Sequence, residues 1–123
     1  MKTAVLLISH GSRETQVKDE IEVLMKRLKA GSAISIWKYA FLEVMSPSIL
    51  EGIDACVHEG ADEIILLLNF LNAGNHVKND IPGIIQRARL KYPKIHMIST
   101  PYIWQHPSID KIYLDLIEIT LKK

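Results

Sequence analysis

Apolar residues fall in two kinds of run along this chain: short continuous blocks, and longer stretches spaced at three and four. Residues 3–9 are almost wholly apolar and end in a Gly turn, the pattern of a strand buried on both faces. Over 14–29, Val17, Ile21, Leu24 and Leu28 recur at helical spacing between charged residues, predicting an amphipathic helix that stops near Gly31. Residues 34–41 predict a second strand, and Lys38 within it suits an edge. Ser46 and Pro47 predict the cap and first position of a second helix that runs to about Glu59 and ends at Gly60. Residues 63–68, the most continuously apolar block, predict a central third strand. A mostly polar loop covers 69–78. Pro82 then opens a third helix with Ile84, Ile85 and Ala88 on its apolar face and Leu90 flanking it, stopped by Pro93. Residues 94–99, carrying Lys94 and His96, predict a second edge strand, and Pro107 opens a last helix through Ile109, Ile112, Tyr113, Leu116, Ile117 and Leu121.

Strand and helix thus alternate four times. That order predicts an α/β fold: a single-domain, four-stranded parallel sheet in spatial order 2-1-3-4, with right-handed crossovers and helices on both faces. A length of 123 residues and a mass of 14.0 kDa fit one domain, 1–123, rather than separate cofactor and substrate domains. Fifteen basic and fourteen acidic residues leave a formal net charge of +1, so the electrostatic attraction of a nucleic-acid partner has no source in net charge, which leaves only a local basic patch open. The single cysteine, Cys56, excludes an intramolecular disulfide and a Cys-based zinc knuckle, and fits the cytoplasm. The apolar run of the opening MKTAVLLIS, residues 4–8, is too short for a signal peptide's core, and no stretch approaches the roughly 20 residues that span a bilayer. No membrane association is expected.

In an open parallel sheet, ligands bind beyond the carboxyl ends of the strands, where loops converge and helix N-termini point at the bound groups. Those loops contain His10, Gly11, Ser12 and Arg13 after strand one, and Glu43 after strand two. Asn69, Asn72, Asn75 and His76 follow strand three, and Tyr102, Gln105 and His106 follow strand four. Taken singly, His10 reads equally as a strand-end histidine bonded to a carbonyl, and His76 as a solvated loop residue. Together, two neutral imidazoles on adjacent strand ends with a carboxylate at Glu43 form a ligand set that borderline divalent metals accept. Ser12 lacks a GxSxG elbow and reads as a helix cap, Cys56 as packing, and Gly11 is no dinucleotide fingerprint. Trp37 and Trp104 read as packing, although Trp104 stands beside the presumed site and suits stacking on a flat ligand. His58 and His96 have ordinary places in a helix and a strand.

HGSR at 10–13 and FLNAGNHVKNDIP at 70–82 resemble the small sirohydrochlorin chelatases of the CbiX type, within the class II tetrapyrrole chelatases. FLE at 41–43, SPSI at 46–49, Gly60-Ala61 and the HP at 106–107 fall in the same order, so the resemblance covers nearly the whole chain. It implies a lyase that inserts Co(II), Fe(II) or Ni(II) into a sirohydrochlorin-type tetrapyrrole, as in cobalamin or sirohaem synthesis. His10 and His76 match the family's catalytic, metal-holding histidines, and Glu43 its acidic position. Ser12, Arg13, Asn72, Gly74, Asn75 and Lys78 would meet the macrocycle, with Arg13, Lys78 and helix N-termini facing its carboxylates. No permanent cofactor is implied, since the metal is a substrate, and the family's short members imply a homodimer. Asn69 and the Ile103-Trp104 pair depart from the family's usual residues, and His106 is assigned no catalytic role. The rival readings are a non-catalytic tetrapyrrole or metal carrier with the same cleft, and a histidine phosphatase, against which Ser9 occupies the place of that family's arginine.

Overall fold

The computed structural model describes residues 1–122 and, for His76, the backbone alone. Its strands β1 (Thr3–Ser9), β2 (Ile36–Phe41), β3 (Glu63–Leu68) and β4 (His96–Ser99) form one parallel sheet in the order β2-β1-β3-β4. The helices are α1 (Gln16–Ala30), α2 (Ile49–His58), α3 (Asn75–Lys91) and α4 (Ile109–Leu121), with a short 3-10 turn at Ile103–Gln105. The sheet order is the one the hydrophobic pattern predicts. β1 and β3 lie in the middle, and β2 and β4 are the edges where Lys38 and His96 stand.

Side-chain alternation divides the core between the two faces of the sheet. On one, Ala4, Leu6 and Ile8 pack with Ile64, Leu66 and Leu68, under Ile49, Ile53 and Cys56 of α2 and Val77, Ile81, Ile85 and Ala88 of α3. Gly52 is where α2 comes closest: a Cβ there would stand 2.7 Å from Leu6 Cδ1 and 2.9 Å from Ala40 Cβ. On the other face Leu7 and Phe41 pack under Ile21 of α1, with Val17, Leu24, Tyr39 and Leu67 around them.

β2 and β4 each begin two residues later than expected, which leaves Lys94 outside the edge strand, and three helices depart further from the sequence expectation. The second helix begins at Ile49, not at Pro47. Ser48 is its cap, its Oγ accepting from Glu51 N at 3.2 Å while Glu51 Oε1 accepts from Ser48 N at 2.8 Å, a reciprocal pair that Ser46 cannot form with Ile49. Pro47, joined to Ser46 by a cis bond, instead presents its carbonyl to Phe41 N at 2.9 Å and prolongs the pairing of β2.

The third helix begins at Asn75 and carries Pro82 in its interior, so the loop after β3 is confined to residues 69–74. Burial of Val77 and Ile81, two turns and one turn before Ile85, overrides the break that a proline imposes. Pro82 lies on the exposed side, where water can reach the Lys78 carbonyl that has lost its donor.

The last helix begins at Ile109 and, beyond a half-buried Ile109, is exposed along its length. The apolar face expected to cover the sheet does not do so. α1 alone covers that side.

Candidate functional site

His10 is the first residue beyond β1, and its neighbours fix it from three sides. Its own carbonyl accepts from Glu43 N at 3.1 Å, and the preceding Ser9 carbonyl accepts from Leu42 N at 2.8 Å, so the β2 exit runs alongside the β1 exit. Gly11 makes this approach possible. Its φ is +103° and a Cβ would lie 2.0 Å from the Glu43 carbonyl oxygen, a contact no other residue could accept. Val44 then turns the chain away with a φ of 72°.

The two exits bring His10 Nε2 within 2.8 Å of Glu43 Oε1, with the side chains half exposed at 50% and 40%. Facing a carboxylate, Nε2 carries the hydrogen, which puts the lone pair of the neutral ring on Nδ1. Phe70, the second residue after β3, meets the imidazole edge to face at 6.2 Å between ring centres. Beneath them Asn69 Nδ2 donates to Ser9 Oγ at 3.0 Å, and Asn69 N to the Ile8 carbonyl at 2.8 Å, so the β1 and β3 exits are laced together. Ser9 is thus a buried strut. The sequence put Glu43 with His10 and His76 in one ligand set, and the direct His10–Glu43 hydrogen bond is an addition to it. Phe70 and the Asn69–Ser9 tie were not expected, because a phenylalanine and an asparagine in a loop carry no spacing signal.

The remaining expected residues are spread around this pair. Gly74 caps α3 in an extended conformation with open space around it, Asn75 is the first residue of the helix, and His76 the second. The expectation for the His76 side chain lies outside the described residues. Lys78 is exposed and its N–H closes the first helical turn onto the Gly74 carbonyl at 2.9 Å. With the helix beginning at Asn75, position 80 stands one turn beyond position 76 on the same side, a juxtaposition that a helix starting near Pro82 had hidden. Asp80 is therefore a further acidic candidate beside the site.

Ser12 and Arg13 border a shallow depression of about 390 Å³ with Thr15, Lys18 and Met45. Ser12 does not cap the helix as expected: α1 starts at Gln16 with Thr15 at its cap position, and Ser12 Oγ accepts from Glu14 N at 3.0 Å in the turn before it. Asn72 lines a different cavity, about 800 Å³, with Leu71, Trp104, His106 and Tyr113. His106 stands in the turn before α4, its Nδ1 accepting from the N–H of Ser108, the residue at the helix's cap position, at 3.0 Å. Cys56 is wholly buried in the core, and burial pushes its thiol up to about 11. It is packing, as expected. Among the described residues no three metal-ligating side chains cluster, so a metal held here would draw on the His10–Glu43 pair and on α3's first turn.

A parallel α/β sheet with an imidazole–carboxylate pair at the carboxyl ends of its strands defines a small ligand-binding α/β domain. The chain belongs to the CbiX family, whose model matches residues 4–120. It is 35% identical over 95 residues to a sirohydrochlorin ferrochelatase of Priestia megaterium, covering 77% of this chain and 36% of that protein. It is 26% identical over 114 residues to a chloroplastic sirohydrochlorin ferrochelatase of Arabidopsis thaliana, covering 93% of this chain and 51% of the relative. Among solved structures, the sirohydrochlorin chelatase SirB of Bacillus subtilis subspecies spizizenii in complex with cobalt superposes with a TM-score of 0.76 at 35% identity. That match covers 82% of this chain and 44% of SirB. A CbiX protein of Marinobacter aquaeolei shares the fold over 98% of both chains, with a TM-score of 0.84 at 21% identity. The chain thus spans about a third to a half of the ferrochelatases and SirB, and nearly all of the Marinobacter protein.

Proposed function

We propose that this chain, acting as one CbiX-like domain, is a metal chelatase that inserts Co(II), Fe(II) or Ni(II) into a sirohydrochlorin-type macrocycle. The observation that carries the reading is the 2.8 Å pairing of His10 with Glu43 at the strand ends, in a chain whose relatives are named for that chemistry. Insertion releases two pyrrole N–H protons as the ion exchanges its waters for ring nitrogens. Nδ1 of His10 accepts a proton or holds the incoming ion, and Glu43 stabilises the imidazolium that results. His76, at the N-terminal turn of α3, supplies the second imidazole. A half-exposed pair returns protons to water readily, and a site with few protein ligands releases the ion to the macrocycle.

Arg13 and Lys78, with the N-terminus of α3, attract the macrocycle's carboxylates, and Ser12, Asn72, Gly74 and Asn75 line its approach. Trp104, 57% exposed, offers a flat wall for the ring. No resident cofactor is required, and neither nucleic acid nor membrane takes part. No helix among the described residues is long and apolar enough to cross a membrane, and the reading places the protein in the cytoplasm. Two copies pair as a homodimer, which gives a macrocycle larger than one strand-end cleft a second surface.

The test is the absorbance of sirohydrochlorin in excess over protein after addition of Co(II) or Fe(II). Many turnovers per chain are expected for the wild type, and rates near the spontaneous reaction for His10→Ala and His76→Ala. One equivalent of bound product without turnover would identify a carrier instead, and wild-type rates in both variants would remove the histidines from the reaction.

A further inference from the structure

Phe70 is a loop residue with an unusually fixed backbone. The preceding Asn69 donates its N–H to the Ile8 carbonyl at 2.8 Å and its side-chain amide to Ser9 Oγ at 3.0 Å. The Phe70 carbonyl accepts from Ile103 N at 3.0 Å, and the Leu71 carbonyl from Trp104 N at 3.0 Å. Three consecutive residues are thus tied to the end of β1 and to the turn after β4, where connecting segments are ordinarily the mobile part of a domain. The side chain on this mount is 7% exposed. It belongs to the buried cluster of Leu68, Val77 and Ile81, and it also meets the half-exposed ring of His10, with centroids 6.2 Å apart and planes at 75°.

His10 needs such a neighbour because its hydrogen bond to Glu43 anchors one atom only. Nε2 is held 2.8 Å from Oε1, but both side chains are half exposed, and a ring anchored at one atom can still rock about it. The lone pair of the neutral ring is on Nδ1, so rocking about Nε2 swings the atom that must meet an ion or a pyrrole proton. Productive geometry tolerates a deviation of only roughly 10–20°. An aromatic ring set edge to face at this spacing favours one angle, through the attraction between a ring edge and a π face, whereas an aliphatic side chain supplies contact without a preferred angle. Glu43 comes from the exit of β2 and Phe70 from the exit of β3, so the imidazole is constrained from two independent elements.

We infer that Phe70 is a positioning residue for metal insertion, holding the His10 imidazole in the plane that aims Nδ1 at the reacting atoms. The inference deepens the chelatase reading proposed above and rests on it. Buried as it is, Phe70 acts through His10, so its loss falls on kcat and leaves KM for the macrocycle nearly unchanged. A side chain that only fills the core behaves otherwise. Ile85 is 7% exposed in the same cluster and stands on α3, ten residues beyond the helix's first residue. Truncating it opens a cavity and lowers stability without reaching the imidazole.

The test compares the full chain with Phe70→Leu, Phe70→Tyr and Ile85→Ala, in turnover of sirohydrochlorin with Co(II) and in NMR spectra of the histidine rings recorded without metal. Phe70→Leu should lower kcat about tenfold while KM changes less than about twofold. Phe70→Tyr, which keeps the ring, should recover most of the rate, and Ile85→Ala should lose stability and keep kcat. The His10 ring protons, identified by their disappearance in His10→Ala, lie in the ring current of Phe70. Their signals should move in Phe70→Leu and stay in place in Ile85→Ala. A wild-type kcat in Phe70→Leu, a loss that Phe70→Tyr does not recover, an equal loss in Ile85→Ala, or His10 signals indifferent to Phe70→Leu would each overturn the inference. Should Phe70→Leu unfold the chain, Phe70→Met, which fills the space flexibly without a ring, replaces it under the same outcomes. A wild type that inserts no metal removes the chelatase reading, and the ring signals then decide the positioning alone: movement in Phe70→Leu but not in Ile85→Ala keeps it, and no movement removes it.

Discussion

Nε2 of His10 and Oε1 of Glu43, 33 residues apart in sequence, lie 2.8 Å apart because the exits of β1 and β2 are hydrogen-bonded side by side. The carboxylate thereby fixes which imidazole nitrogen of the neutral ring bears the hydrogen. Glu43→Gln keeps a hydrogen-bonding group at the position and removes the charge. Metal insertion should fall about ten- to a hundredfold, the size of effect that carboxylate partners of ligating histidines carry. Because both side chains are half exposed, thermal stability should change little. Initial rates together with a melting curve check both halves, and a rate equal to wild type would detach Glu43 from the chemistry.

Gly11 holds the same two exits together through the absence of a side chain. Gly11→Ala places a Cβ 2.0 Å from the Glu43 carbonyl oxygen at a φ of +103°. The strand exits must part or the backbone must refold locally, at a cost of roughly 2–4 kcal/mol. Urea denaturation should show that loss, with insertion activity lost alongside it. An unchanged midpoint would mean that the Glu43 turn yields easily.

The sheet was legible because buried parallel strands write themselves as continuous apolar blocks, and 3–9 and 63–68 coincide with β1 and β3. What misled were prolines. Pro47 looked like a helix start, but the partner that a capping box requires, Glu51, stands three residues after Ser48 rather than Ser46. Pro82 also looked like a start, although Val77 and Ile81 already continued the spacing of Ile85 and Ala88 towards the N-terminus. That misplacement left His76 in a loop and hid its helical relation to position 80. At the site, His10 and Glu43 were readable from strand-end placement. Phe70 and the Asn69–Ser9 tie depend on the lateral order of strand exits, which local pattern does not specify. For α4 the periodicity was correct and the covered surface was not, since amphipathicity states that a face needs burial without stating against what.

Cys56 makes stability depend on alkaline pH. Burial raises its folded-state value to about 11 from an ordinary 9.0, so the unfolded thiol ionises first as the pH rises. Between those values the native state holds the extra proton, and unfolding stability must decline with pH. The full contribution is present below about pH 9, and up to about 2–3 kcal/mol is lost by pH 11. Urea midpoints measured from pH 8 to 11 should fall for the wild type and fall less for Cys56→Ala. The same burial predicts that a thiol reagent at pH 8 labels Cys56 only on unfolding.

Pro82 sets two opposing effects against each other, and their sizes decide the sign of its replacement. In the helix interior it removes the bond to the Lys78 carbonyl and crowds the preceding turn, a penalty of about 3 kcal/mol in an exposed helix. Its rigid ring also restricts the unfolded chain, which stabilises the native state by up to about 1 kcal/mol. Water reaching the exposed Lys78 carbonyl recovers part of the missing bond, so the penalty here is at the low end. Pro82→Ala should therefore stabilise the fold by about 1–2 kcal/mol, read as a higher urea midpoint with an unchanged slope. It should also restore a donor to the Lys78 carbonyl in the turn that joins the His76 end of α3 to its buried half at Ile85 and Ala88. If His76 depends on the proline for its position, insertion activity will fall in the more stable variant, whereas a gain in both stability and rate would show that the proline plays no part in placing it.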